Sequence, residues 1–196
     1  MRTITKEIKI FTLEEVFEQA VRNHRYINVE DNDWYAYTIF EWKEKLKKIG
    51  FINPKIFFDG FGSQGDGACF TCDGLDITRL AEHLVMNRFI TGKEKKRLIQ
   101  LSDSFSLKIR DKGTIYSHKR TKYIDLETDL SFFFNKKDAD LVVKTREIAE
   151  KLRLDLCDKI YKDLETEYEY LISDNSVADT LRANEYEFDE EGYIYE

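Results

Sequence analysis

The chain has 196 residues, 42% of them hydrophobic, 35% charged and 14% aromatic, with a net charge of −7. That balance supports one folded core without disulfides or metals, and the acidic excess argues against non-specific duplex binding, which needs surplus Lys and Arg. No stretch approaches the roughly 18 uncharged apolar residues of a membrane span, and Met1–Glu7 holds no apolar run of the signal-peptide kind.

In chain order, Ile4 to Phe11 alternates as a strand. Thr12-Leu13-Glu14-Glu15 then reads as a capping box, with the Thr12 hydroxyl taking a free N–H and Glu15 reaching back. The helix that follows carries Leu13, Val16, Phe17, Ala20 and Val21 on one face. A second helix is expected from Asp33 to Ile49, closed by Gly50 in the left-handed conformation. Its apolar positions are Trp34, Tyr37, Ile39, Trp42, Leu46 and Ile49.

Pro54 interrupts the next segment. Ile56-Phe57-Phe58 is a buried-strand candidate, and Ala68-Cys69-Phe70-Thr71-Cys72 its return strand. Between them Gly60-Phe61-Gly62-Ser63-Gln64-Gly65-Asp66-Gly67 holds four glycines in eight residues. Such a loop can turn consecutive backbone N–H groups toward one point, a concavity suited to an anion. The side chains of Ser63, Gln64 and Asp66 could add donors and acceptors to the backbone of Gly65 and Gly67 in one candidate ligand site. The same composition also suits a tight turn with no guest.

A third helix is expected from Asp76 to about Ile90, with Gly92 just past its end. Ser104 to Arg110 alternates strictly, Asp111-Lys112-Gly113 reads as a hairpin turn, and Thr114 to Leu126 as the return strand. With a three-residue loop, Lys108 sits opposite Tyr116, Ser106 opposite His118 and Ser104 opposite Arg120. One face then carries Lys108, Arg110, Tyr116, His118 and Arg120, which could hold a phosphate through the cations and stack a ring on the tyrosine. A two-residue turn would shift the register and break this set. An exposed face with ordinary cross-strand pairs is the alternative.

From about Lys136 to Leu171 one long helix is expected, with Leu141, Val142, Ile148, Leu152, Leu156, Ile160 and Leu164 at spacings of mostly three or four. A short helix capped by Ser173 or Asp174 follows. Tyr186 to Tyr195 alternates around an acidic turn as a terminal hairpin. No linker or internal repeat divides the chain. The expected architecture is therefore a single α+β domain over 1–196, a mostly antiparallel sheet packed by helices, with one long C-terminal helix and a terminal hairpin.

Charge is unevenly spread. Arg88 to Lys122 holds eleven Lys or Arg against Glu94, Asp103 and Asp111, whereas Asp163 to Glu196 holds twelve acids against Arg182 alone. Such asymmetry speaks to partners, or simply to two solvated faces. Cys69 and Cys72 form a CxxC, but it lies in a strand rather than at a helix N-terminus. Cys157, His24, His83 and His118 offer no second ligand pair, so two packed core cysteines are expected. Three cysteines make an odd number without a disulfide framework, which fits a reducing cytoplasm. No Walker loop, nucleophile elbow, dinucleotide fingerprint or zinc-protease motif is present, so neither a cofactor nor a catalytic set is expected.

The run Gly60 to Phe70 resembles the Gly-Phe-x-Ser-Gln-Gly-Asp-Gly-Ala-[Cys/Ser]-Phe signature of a family widespread in phage and prophage genomes. Its members are often labelled "antitoxin of toxin–antitoxin stability system". Phe11-Thr12-Leu13-Glu14-Glu15, Tyr116-Ser117-His118, Glu167-Tyr168-Glu169-Tyr170-Leu171 and Arg182 to Phe188 fit the same pattern. Cys72-Asp73-Gly74 departs from it, since relatives usually carry Glu-Gly directly after the Phe. The resemblance implies a phage accessory protein acting in the cytoplasm of a bacterial host. One expected role is capture of a small anionic nucleotide-derived signal by the glycine loop and the basic hairpin. A second is direct binding of a bacterial toxin or defence protein through the acidic C-terminal region. A third is nucleotide hydrolysis, with His118 as general base and Asp66 as its partner. A homo-oligomer is compatible with each; the oligomeric state and the ligand are not legible.

Overall fold

The computed structural model describes residues 7–31, 33–114, 117–128 and 135–195. It is a mixed α+β fold with six helices and small antiparallel two-stranded sheets among the described residues. The chain divides into two compact units, the first formed by Met1–Ala36 with Leu164–Glu196 and the second by Tyr37–Asp163.

Unit 1 is built on α1 (Phe17–Asn23) and α6 (Asp174–Ala183). Leu13, Val16, Ala20 and Val21 bury against Val177, Ala178, Leu181 and Phe188, the face that helical spacing predicts. Ser173 caps α6 by accepting from the Ser176 N–H. The expected first strand is reduced to one rung: Phe11 and Phe188 exchange both backbone hydrogen bonds, at 2.8 and 3.0 Å. Ile8 and Ile10 stay exposed, and Ile4 lies outside the described residues. Only half of the capping box forms. The Glu15 carboxylate accepts the Thr12 N–H at 2.8 Å, but the Thr12 hydroxyl also donates to it and so caps nothing; α1 starts five residues after Thr12, at Phe17. Phe188 also bridges Ile194, which closes a minimal terminal hairpin.

Unit 2 begins along α2 (Ala36–Ile49), which buries Trp42, Leu46 and Ile49 and leaves Tyr37 and Phe40 exposed. Gly50 closes it at φ +121°, donating to the Leu46 and Lys47 carbonyls. β1 (Phe51–Ile52), β2 (Lys55–Phe58), β3 (Ala68–Thr71) and β4 (Gly74–Leu75) follow, pairing β1 with β4 and β2 with β3. The burial expected for Phe57 is corrected: it is 44% exposed, and β3 is the strand that sits inside. Cys69 and Cys157 are buried free thiols, and burial pushes Cys157 up to about 12.

The helix expected from Asp76 to about Ile90 ends early, at Met86, and an unanticipated helix follows beyond Ile90. α3 (Ile77–Met86) is capped by Asp76, and Arg88 at φ +60° breaks the chain before α4 (Gly92–Leu101). The signal for α4 is legible in retrospect, because Thr91-x-x-Glu94 is a complete capping box ahead of Leu98 and Leu101. Glu94 also meets the Lys144 ammonium of α5 (Lys136–Leu171) at 2.7 Å. That hydrogen bond, with the Thr91 N–H, holds its carboxyl at about 2 against an ordinary 4.5. A carboxyl lowered on folding contributes stability that is complete above the unfolded value and lost as pH falls through the folded one. Thermal melts from pH 5 to 2 should therefore show wild-type stability declining below pH 4.5, and a shallower decline in Glu94→Gln. Equal slopes would remove Glu94 from the acid response.

The largest correction concerns the hairpin. β5 (Phe105–Asp111) pairs with β6 (Lys122–Thr128), so Lys108 faces Asp125, Ser106 faces Glu127 and Arg110 faces Tyr123. Residues 112–121 form a long connection instead of a three-residue turn. Among the described residues the expected basic face does not form: Lys108 and Arg110 stand on β5, while His118 and Arg120 lie in the connection; Tyr116 is outside the described residues. Lys108 pairs with Glu127 at 2.6 Å, and Arg110 pairs with Glu127 and Asp125, so both cations are neutralised in place. A loop this long cannot be read from Asp-Lys-Gly, which looks complete as a turn by itself.

α5 runs over the expected span, but its buried stripe within unit 2 passes through Val142, Thr145, Ala149, Arg153, Leu156, Cys157 and Ile160. Ile148 and Leu152 are only half-buried. A fully buried arginine on that stripe is what organises the site. No helix among the described residues is long and apolar enough to cross a membrane.

Candidate functional site

The loop between β2 and β3 is closed at its base by the Asp59 N–H donating to the Gly67 carbonyl, 3.0 Å. Its tip turns as the Asp66 N–H donates to Ser63 O at 3.1 Å, with Gly65 at φ +114°, a conformation that favours glycine. Backbone N–H groups do converge here. Their target, however, is the chain's own carboxylate: Asp66 Oδ2 accepts from Gly62 N at 2.7 Å and Ser63 N at 2.6 Å. Those two bonds hold the Asp66 carboxyl below its ordinary range. The anion cradle expected from the glycines is thus filled from within. Ser63, Gln64 and Gly65 sit exposed at the tip.

Asp66 also lines a hollow. It measures about 310 Å3 and is lined by Asp66, Gly67, Ala68, His118, Lys119, Arg120, Asp158 and Tyr161. Gly67 is needed for close approach, since a Cβ there would stand 2.6 Å from the Cδ2 atom of His118. The loop and the segment after Tyr116 therefore share one wall, although Tyr116 itself is outside the described residues. Asp59 strengthens that join by accepting the Ser117 N–H at 2.7 Å.

Residues 118–122 are pinned from behind. Arg153, 0% exposed, donates to the carbonyls of Lys119 at 3.0 Å and Lys122 at 2.9 Å, and to Glu150 at 2.6 and 3.0 Å. Glu150 accepts the Ile124 N–H at 2.8 Å, and Arg146 donates to Ile124 O at 2.8 Å. Burial raises the Glu150 carboxyl, but the hydrogen bond and charge of Arg153, the Ile124 N–H and Arg146 outweigh it and leave it lowered. One face of α5 thus grips the backbone that presents His118 and Arg120.

His118 Nδ1 accepts the Arg120 N–H at 3.1 Å, which leaves the proton of the neutral ring on Nε2. Burial lowers its pKa, helped by Arg120 and Lys119 and opposed by Asp158. In its neutral form the ring offers one donor. Among the described hydrogen bonds and ion pairs, His118 Nε2 and the Arg120 guanidinium have no partner, whereas Lys119 is held by Asp158 at 2.5 Å. Tyr161 donates to Gly60 O at 3.2 Å and lies 5.4 Å from the Phe61 ring, which stacks on Phe58 at 5.7 Å.

Of the residues that the sequence singled out, the structure gathers Asp66, Gly67, His118 and Arg120 and leaves Lys108 and Arg110 on the β5–β6 face. It adds Lys119, Asp158, Tyr161 and the supporting Arg153. The signal for Arg153 was a charged residue at the spacing of the buried stripe. For Asp158 and Tyr161 it was their i,i+3 placement on one helix face beyond it. No three His, Cys, Asp or Glu side chains cluster as metal ligands among the described residues. The family described as "Domain of unknown function (DUF8835)" matches residues 34–174, well over half of the chain and the whole of this hollow. The chain belongs to the DUF8835 family. No curated protein and no solved structure matches it.

Proposed function

We propose that this DUF8835 protein captures a small anionic, nucleotide-like ligand in the hollow beside Gly67. The carrying observation is the contact of His118 with Gly67. It brings the Nε2–H donor and the Arg120 guanidinium, neither otherwise engaged among the described residues, to one concavity. A guanidinium with a neighbouring N–H donor suits a phosphoryl group. The volume stands at the low end of the roughly 300–1,000 Å3 of small-molecule clefts, which suits a mononucleotide-sized guest better than a larger one. The resemblance to the phage and prophage accessory family supports sequestration of a bacterial defence signal, since Asp66 and Gly67 of its Ser-Gln-Gly-Asp-Gly segment and His118 of its Tyr-Ser-His segment line this hollow.

Capture is favoured over hydrolysis by the engagement of the two groups that hydrolysis would use. Asp66 Oδ2 accepts the Gly62 and Ser63 N–H groups, His118 Nδ1 accepts the Arg120 N–H, and no described hydrogen bond joins Asp66 to His118. A general base needs a free lone pair within reach of the proton that it takes.

The test is depletion. Purified protein is mixed with a panel of mononucleotides, cyclic nucleotides and ADP-ribose derivatives, and the supernatant is assayed before and after denaturation. One compound should vanish and return unaltered. Arg120→Ala should weaken its binding about ten- to hundredfold, the range of a charge-assisted hydrogen bond, and Gly67→Ala should do so by displacing His118. Lys108→Ala and Arg110→Ala should change little. A compound that returns altered would replace capture with catalysis, and no depletion across the panel would overturn the reading.

A further inference from the structure

Unit 1 holds a larger hollow, about 510 Å3, with no part in the site above. It opens where the Phe11–Phe188 rung ends. Beyond that rung, residues 12–14 turn toward α1, drawn by the Thr12 N–H bond to Glu15, while residues 185–187 leave the end of α6. An antiparallel ladder continued from the rung would set Tyr186 opposite Leu13. The chains part instead, and among the described hydrogen bonds the Tyr186 backbone makes none. Leu13 and Leu181, 5% and 1% exposed, floor the wedge. Its rim carries Glu14, Glu185 and Glu187. Only Glu14 meets a described cation, Arg182 at 3.6 Å, and Arg182 is shared with Asp179 at 3.5 Å.

We infer that this wedge binds an extended basic segment of a partner polypeptide. The segment adds its backbone to Tyr186, sets an aliphatic side chain on the Leu13–Leu181 floor and places Lys or Arg beside Glu185 and Glu187. Strand addition supplies backbone bonds, and the floor and rim select the side chains. Charge decides the occupant. A second copy meeting the same patch across a two-fold axis would oppose acid to acid. A neutral segment would leave both rim carboxylates unmatched.

The experiment uses the full chain and a fluorescein-labelled Lys-Ile-Lys-Val-Lys peptide, read by anisotropy, with Glu-Ile-Glu-Val-Glu as its counterpart. The basic peptide should bind, weakening as NaCl rises, and the acidic one should not. The Glu185→Gln, Glu187→Gln double variant should bind about tenfold more weakly, as two exposed ion pairs imply, with an unchanged melting temperature. N-methylation of the peptide's isoleucine should weaken it also, because that amide can no longer donate. Equal binding by the double variant, equal binding of both peptides, or indifference to N-methylation would each overturn the inference. So would a dimer that Glu185→Lys dissociates, since the occupant would then be a second copy. Loss of nucleotide depletion leaves this result untouched, as the two sites share no residue.

Discussion

Arg153→Met is expected to destabilise the protein by about 3–5 kcal/mol in urea titration, the range for breaking a buried ion pair by removing one partner. Two carbonyls, Lys119 and Lys122, lose their donors, and Glu150 keeps a half-buried charge with the Ile124 N–H and the Arg146 charge left to offset it. The methionine fills the apolar part of the space and satisfies none of these groups. Removing the second charge as well should restore part of the loss: the Arg153→Met, Glu150→Leu double variant should be more stable than the single one, although the Ile124 N–H is then orphaned. Ligand depletion should fall with the single variant at temperatures where it remains folded, because the 118–122 backbone is released. A loss below about 1 kcal/mol would mean that water replaces the guanidinium and that the grip of α5 on the loop is incidental.

Gly50→Ala should cost about 2–4 kcal/mol, combining left-handed backbone strain with overpacking. Gly50 stands at φ +121°, and a Cβ would meet the Asp76 carbonyl at 2.8 Å and the Leu80 nitrogen at 3.0 Å. Both obstacles are backbone atoms at the start of α3, and Gly50 also accepts the Asp76 N–H at 2.8 Å. Neither rotamer change nor side-chain retreat relieves them. Gly92→Ala is the matched control, because nothing lies within 4 Å of its added methyl and it sits in the first turn of α4. Denaturation midpoints should separate the two variants widely; similar midpoints would show that α2 and α3 move apart without difficulty.

What was legible in the sequence is what local chemistry determines. Gly50 after an apolar-periodic run ends α2, Ser173 starts α6, and the α5 span follows from apolar residues between Leu141 and Leu164 at spacings of mostly three or four. The α+β class follows from the alternation of those periods with strand-like segments. What was lost depends on distant partners. Asp66 reads as a ligand for something foreign until the Gly62 and Ser63 amides are seen to claim it. Lys108 and Arg110 read as a phosphate grip only while Asp125 and Glu127 are held out of register. Arg153 looks like a solvated helix charge, because nothing local says that carbonyls from residues 119 and 122 will be waiting for it.

The Phe188 rung has a bearing on biosynthesis. Its two neighbours, Phe11 and Ile194, lie near opposite ends of the chain, whereas Tyr37–Asp163 is one uninterrupted stretch. On a ribosome the interior stretch can condense while translation proceeds. The flanking unit must wait until Phe188 has been made, with Leu13, Val16 and Ala20 uncovered until then. A nascent chain stalled shortly before Phe188 would present those side chains to chaperones and proteases, so a frameshift between Asp163 and Phe188 is expected to harm solubility although the interior stretch is complete.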